Sequence, residues 1–414
     1  MGYPGKFIVR LPFSFLRFPF AALFLLFCCS CQSPKSPRSG PVTVKADFND
    51  QIDLTAIEKH MESFEVVPIA YQKGDEMASV SFKTGTKDRV VVYSRKYRAL
   101  FFIDYQGRII KKLSKSGKGP GEYNDVADMT INPEGNLVLL DSFKKILLEY
   151  TLDGEFVREM KFTGDYENLI FLGRDRLLLG SSRNIATIEN PGYYIEIVNR
   201  ELKPEGHLFP FYTPWPMGGN PPVLSVMEKG LGITRLADYH YLFLDEKCKL
   251  DTLLVFDFGT NGYSFSGSDR MPFDDYLQIL GQNMAKPISA GSIYAQKSKY
   301  LVTNFFKGLA YSAVGAWDQE SITFHPSIDF KIMGSYKGFP IPNPREMING
   351  KISGTLDAID ILDFWEKYPG EKARALNEPA FREIAGKLDG DDNPVLFFFT
   401  LNDKRIKADQ SELR

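Results

Sequence analysis

The sequence predicts an all-β protein: a six-bladed β-propeller built from four-stranded antiparallel blades, with helical and loop insertions in the later blades. Three observations predict it. Aromatic residues make up 14% of the 414, with 33 Phe and 20 Tyr beside 34 Gly and 25 Pro, a composition of aromatic strands punctuated by turns. "LFFIDYQGRIIKKL" (100–113) and "LLEYTLDGEFVREM" (147–160) superpose without a gap, placing Gly107 on Gly154. Steps of similar length lead on to Glu201 and Lys247. Units of 40–50 residues with four strands each are the sequence sign of propeller blades, and the 338 residues from Phe64 to Leu401 accommodate six plus insertions.

Residues 1–30 read as a signal segment. Lys6, Arg10 and Arg17 precede the apolar run "FPFAALFLLFCCSC", whose core of about ten residues is short for a membrane span and suited to a secretory h-region. The run resembles a bacterial lipoprotein signal, in which a cysteine after a small residue becomes the lipidated N-terminus. Ser30 before Cys31 makes Cys31 the lipidation candidate, with Cys29 the alternative. Residues 31–60 form a polar tether and lead-in, with "QSPKSPRSGP" directly after Cys31. The membrane partner expected is therefore a bilayer held through the lipid, and the location the cell envelope, on a periplasm-facing outer-membrane lipoprotein. Without residues 1–30 the chain carries a net charge of −5, and no basic patch points to nucleic acid. Cys248 alone remains in the body, so no internal disulfide is expected there.

Residues 61–404 are the propeller, and 405–414 a C-terminal tail. "VADMTINPEGNLVLLDSFKKILLEYTLDGEF" holds four short strands, ending in the hairpin signal Asp153-Gly154. "FEVVPIA" (64–70) and "PVLFFFTL" (394–401) are expected to pair in one blade, because a propeller must join its last blade to its first or leave open sheet edges. Three stretches break the rhythm. His207–Pro222 is rich in Pro, Gly and aromatics; Pro272–Met284 reads as a short helix; Gly354–Leu388 has helical patterning. On the first, Phe211, Tyr212 and Trp215 are the expected ligand contacts, able to stack on a glycan or seat a peptide or an envelope protein.

"SGKGPGEY" (116–123) invites a phosphate-loop reading and does not sustain it. Gly117-Lys118 is followed by Gly119, where a Walker loop needs a hydroxyl, and Glu122 stands where a dinucleotide fingerprint needs glycine. Gly117, Gly119, Pro120, Gly121 and Glu122 are instead expected to carry the crossing from one blade to the next. The segment from Gly119 to Phe156 is similar to the NHL-type propeller repeat. More narrowly, the chain resembles the six-bladed β-propeller lipoproteins of Bacteroides-type bacteria, through its lipoprotein start, "GKGPGEY" and "DDNPVLFFFTLNDK" (391–404). That resemblance implies a fold and a compartment and supplies no mechanism.

No metal or cofactor is expected. His60, His207, His240 and His325 are scattered, and no nucleophile elbow occurs. The reading is a non-catalytic binding scaffold. Its rival is a calcium-dependent propeller enzyme, a lactonase or lyase, for which Asp125, Asp128, Asp141 and Asn304 lie nearest the expected inner strands.

Overall fold

In the computed structural model the chain divides into Met1–Ser39 and Gly40–Arg414. The structure describes residues 41–403 apart from 79, 182–191, 212–222, 228–229, 236–237, 264–270, 284–285, 288–290 and 307. Among these residues the protein is all-β and propeller-like. In chain order, β1 is Val42–Phe48 and β2 Met61–Pro68. Strands β3–β6 (Val80–Gly85, Val90–Ser94, Ala99–Ile103, Ile109–Leu113) form one antiparallel sheet. Strands β7–β10 (Asp128–Ile131, Leu137–Asp141, Ile146–Tyr150, Phe156–Lys161) form the second. The third comprises β11–β14 (Asn168–Leu172, Arg176–Gly180, Gly192–Asn199, Pro204–Phe211).

Two further antiparallel runs follow, β15–β18 (Val223–Met227, Gly230–Thr234, His240–Asp245, Leu250–Asp257) and β19–β22 (Ser292–Gln296, Lys299–Phe306, Leu309–Ala316, Ser321–Pro326). Helix α1 (Phe273–Gln282) lies between them in sequence. Strand β1 pairs in parallel with both β18 and β22 and joins the two runs into a nine-stranded sheet. A hairpin, β23–β24 (Ile332–Tyr336, Phe339–Pro342), precedes the last sheet, β25–β27 (Glu346–Ile348, Lys351–Leu356, Val395–Leu401). Helices α2 (Ala358–Lys367), α3 (Pro369–Asn377) and α4 (Arg382–Lys387) lie between β26 and β27. No helix among the described residues is long and apolar enough to cross a membrane.

The middle strands explain the stability of the assembly. Every residue of β4, β5, β8 and β9 is buried, because each sheet is covered on both faces by a neighbour. Val91, Tyr93, Leu100 and Phe102 pack against Leu137, Leu139, Ile146 and Leu148 of the next sheet. On the opposite face Val90, Val92, Phe101 and Ile103 meet Ile348, Leu396 and Phe398 from the end of the chain. Similar clusters lie between each later pair of sheets, so the core is spread over the sheet interfaces.

Strand β2 pairs antiparallel with β27, Phe64 opposite Phe399, which is the closure the terminal motifs imply. The first strands of successive sheets lie innermost, β3 packing on β25 and β7, and β7 on β11. In an antiparallel run the connection between second and third strands, and that from the fourth strand to the next sheet, emerge at the same end. The α2–α4 insertion, the α1 segment and the β23–β24 hairpin are all of these kinds. These three elements therefore gather at one end of the first strands.

The third-to-fourth-strand turns carry the repeat. Gly107 and Gly154 take positive φ of 81° and 79°, and the equivalent turns place Leu202 and Cys248 at 60° and 64°. The register is one residue beyond the Glu201 and Lys247 of the sequence reading. A larger difference concerns residues 31–60. The sequence leaves them as lead-in, whereas Val42–Phe48 is an integral strand with Val44 and Ala46 buried and Phe48 stacked on Phe258 and Phe324. Its inward alternation Val44/Ala46 is short, and only the two unfilled edges of β18 and β22 give it a place.

Candidate functional site

The candidate site lies where the first strands meet, at β3, β7 and β25. Asp128 opens β7. Its Oδ1 accepts the Met129 N–H and its Oδ2 accepts the Leu169 N–H, both at 2.8 Å, and the Asn168 side chain adds a third hydrogen bond. Burial nonetheless dominates and pushes this carboxyl up to about 7.

Lys83 comes from β3. It stands opposite Val92, so it points to the same face as Val92 and the Ile348 cluster. A Cβ on Gly85 would meet Ile348 Cγ2 at 2.8 Å, which fixes the level of β3 against β25. Two residues before each of these stand Lys83 and Glu346. Lys83 is only 4% exposed. Its ammonium makes no hydrogen bond or ion pair among the described residues. Burial pulls its pKa down, with nearby Glu346 opposing that pull and Arg345 adding to it. Glu346 retains accessible surface, yet enough protein surrounds it to push its carboxyl up, helped by the Asp128 charge and opposed by Lys83 and Arg345. Tyr294, from β19, completes the rim; its hydroxyl donates to the Pro344 carbonyl at 2.8 Å, and burial raises its pKa.

Chemically, this is a pair of cations beside two carboxyl groups whose ionisation the surroundings disfavour. Such a group can hold an anion by charge and donated hydrogen bonds. It contains no hydroxyl or thiol paired with a base.

The sequence-derived residues fall differently. Phe211 lies on β14, while its side chain, Tyr212 and Trp215 lie outside the described residues. In the opening loop, Glu122 Oε2 accepts the Gly119 N–H at 2.8 Å. A Cβ on Gly117 would lie 2.1 Å from the same carboxylate oxygen, and Gly121 takes φ +67°. The Gly121 carbonyl accepts the buried Tyr150 hydroxyl at 2.6 Å. Pro120 and Lys118 are exposed at the surface of this connection between β6 and β7. Of the four residues suggested for calcium, Asp125 bonds the Tyr93 hydroxyl at 2.9 Å and Asp141 accepts the N–H groups of Asn124 and Lys144. Asn304 is buried in β20, and Asp128 alone reaches the first-strand site. Among the described residues no three His, Cys, Asp or Glu side chains gather as a metal group. Asp238 and His240 form an exposed pair at 2.6 Å.

Sequence reasoning passed over Lys83, Arg345 and Glu346. The available signal was a charge inside an apolar strand, "VSFKTG", which becomes legible only once Lys83 is set opposite Val92.

A family model described as a domain of unknown function, DUF4934, matches residues 79–400. The chain belongs to the DUF4934 family. That match spans all the first-strand residues of the site. A protein from Bacteroides fragilis assigned as exported is similar in structure, with TM-score 0.65 at 12% identity over 87% of this chain and 99% of its own. A DUF4221 member from Bacteroides vulgatus gives 0.49 at 11% identity over 83% and 97%. A virginiamycin B lyase from Staphylococcus aureus gives 0.36 at 11% identity over 64% and 74%. The first of these supports the propeller-like fold; the lower two scores carry no argument. No curated protein matches the chain.

Proposed function

We propose that this DUF4934 chain is a non-catalytic ligand-binding scaffold, a six-bladed propeller tethered to the cell envelope through a lipid on Cys31. The count of six reads the nine-stranded sheet as two blades bridged by β1, beside the four four-stranded sheets. The observation that carries the binding role is the first-strand cluster. Residues far apart in sequence place Lys83 and Arg345, which form no ion pair among the described residues, near Glu346, with Asp128 on the neighbouring strand. Of these four only Lys83 is buried, where a fold that merely needed a packed axis would place an apolar side chain. The loop 207–222 is the second contact region in this reading, and a glycan, peptide or envelope protein is its occupant.

Two experiments test it. Cys31→Ser is expected to move the protein from the membrane fraction to the soluble envelope fraction; unchanged membrane retention refutes the tether. Immobilised wild-type protein, exposed to solubilised envelope glycans and proteins, is expected to retain an occupant that the Phe211→Ala/Tyr212→Ala/Trp215→Ala variant loses. Equal capture by both refutes the loop's role.

A further inference from the structure

We propose that the surface built from the turns 95–98 and 142–145 and the loop 114–123 docks on an anionic lipid bilayer, its cations facing lipid phosphates and Phe143 and Tyr97 entering the headgroup layer. The sequence scatters these residues, and the fold collects them. The first turn joins β4 to β5 and carries Arg95, Lys96 and Arg98, all exposed. The loop joins β6 to β7 and carries Lys115 and Lys118. The second turn joins β8 to β9 and carries Lys144 and Lys145. Two adjacent loop residues hold the turns together. The Tyr123 hydroxyl donates to the Arg98 carbonyl at 3.0 Å, and the Lys144 ammonium donates to the Glu122 carbonyl at 2.7 Å.

The charge balance is one-sided. These three segments hold seven cations against the single carboxylate of Glu122, in a chain whose net charge is −2. Glu122 is engaged within its own loop, accepting the Gly119 N–H at 2.8 Å. Among the neighbouring carboxylates, Asp141 is buried and accepts the Asn124 and Lys144 amides. Asp125 accepts the Tyr93 hydroxyl and lies 3.8 Å from Arg95, and Asp165 answers Lys145 at 2.8 Å. Lys96, Arg98 and Lys118 form no ion pair among the described residues. An exposed ring amid this charge decides the partner. Phe143 is 78% exposed, more than any other large apolar side chain among the described residues, and Tyr97 is 41% exposed with the Lys96 ammonium 5.4 Å from its ring centre. Rings set among lysines match the layer between headgroups and acyl chains, where apolar bodies are buried while ammonium groups reach the phosphates. An acidic glycan or protein would answer the cations and leave Phe143 in water.

The test uses the chain without residues 1–30, which keeps every described residue and needs no lipid on Cys31. It is sedimented with vesicles of equal parts phosphatidylglycerol and phosphatidylcholine, and with phosphatidylcholine alone. Binding to the mixed vesicles is expected to be about tenfold or more tighter than to the neutral ones. Replacing three exposed cations together, Lys96→Gln, Arg98→Gln and Lys118→Gln, is expected to weaken it about a hundredfold, at roughly fivefold per charge near an anionic surface. Phe143→Ala is expected to weaken it about tenfold, while leaving retention on immobilised dextran sulfate, a soluble polyanion, at the wild-type level. Failure to bind the mixed vesicles overturns the inference, as does equal binding to neutral vesicles or wild-type affinity in the triple variant. Wild-type vesicle affinity in Phe143→Ala, with dextran sulfate still retained, assigns the patch to a soluble polyanion and equally overturns it. The Cys31→Ser fractionation tests the tether separately, so either reading can fail alone.

Discussion

Lys83→Met should make the protein more stable. The lysine is 4% exposed, faces Val92 and the Ile348 cluster, and makes no hydrogen bond or ion pair among the described residues, with the Glu346 charge offsetting only part of the cost of burial. Its pKa falls from 10.5 to about 8, mainly through burial. At about 1.4 kcal/mol per pH unit this corresponds to a penalty of about 3 kcal/mol. At pH 7 lysine is protonated in both folded and unfolded chains, so the whole penalty stands. As pH rises from 8 to 10.5 the folded protein sheds the proton first, and the penalty fades. Methionine has similar length and volume, so packing is kept and the charge removed. At about 2 °C per kcal/mol for a large domain, the melting temperature should rise by ~6 °C at pH 7 and by little at pH 10.5. Differential scanning calorimetry at both pH values decides the matter. A melting temperature at or below wild type at pH 7 would show Lys83 to be a stabilising partner of Glu346 and refute the unpaired-cation argument.

Other outcomes follow from the same structure. His60 is pushed down from 6.5 to about 4 by burial and then by Lys299, Lys59 and His325, so the unfolded chain takes up a proton that the folded one refuses. Stability should fall by up to about 3 kcal/mol between pH 6.5 and 4, and His60→Gln should remove that part in urea titrations at pH 7.5 and 4.5; equal slopes would contradict it. Phe398 is buried on the closing strand, 5.4 Å from Tyr105 between ring centroids, and Phe398→Ala should cost about 3–5 kcal/mol, read as an earlier denaturant midpoint. A midpoint unchanged by that variant would mean that the β2–β27 sheet does not hold the assembly shut. Gly121→Ala imposes a side chain at φ +67° with its Cβ 3.0 Å from the Phe156 ring, and should cost about 1–2 kcal/mol by the same assay. A neutral result there would place the loop's requirement elsewhere than in its backbone.

By itself the sequence determined the local rules of this protein. Asp153-Gly154 marks a hairpin because two positive-φ-tolerant residues between apolar strands leave the backbone little else to do, and the 47-residue spacing to Gly107 repeats it. "FEVVPIA" and "PVLFFFTL" declare themselves as partners through apolar runs at opposite ends of the chain, and they pair as β2 and β27. The helical stretches around 273 and 358–387 were likewise legible from their period. The site was not. Lys83, Asp128 and Glu346 sit on first strands whose neighbours are set by closing the ring, which brings a residue near position 83 against one near 346. Which face of β3 a lysine occupies depends on its pairing with Val92, and whether that face is dry depends on a sheet more than 250 residues away. Strand β1 shows the same division. Val44 and Ala46 alternate weakly, and what makes Val42–Phe48 a strand is the pair of open edges that β18 and β22 present to it. Local pattern encodes which segments are strands; burial, charge state and partnership are properties of the closed assembly, because they depend on what lies on the other side.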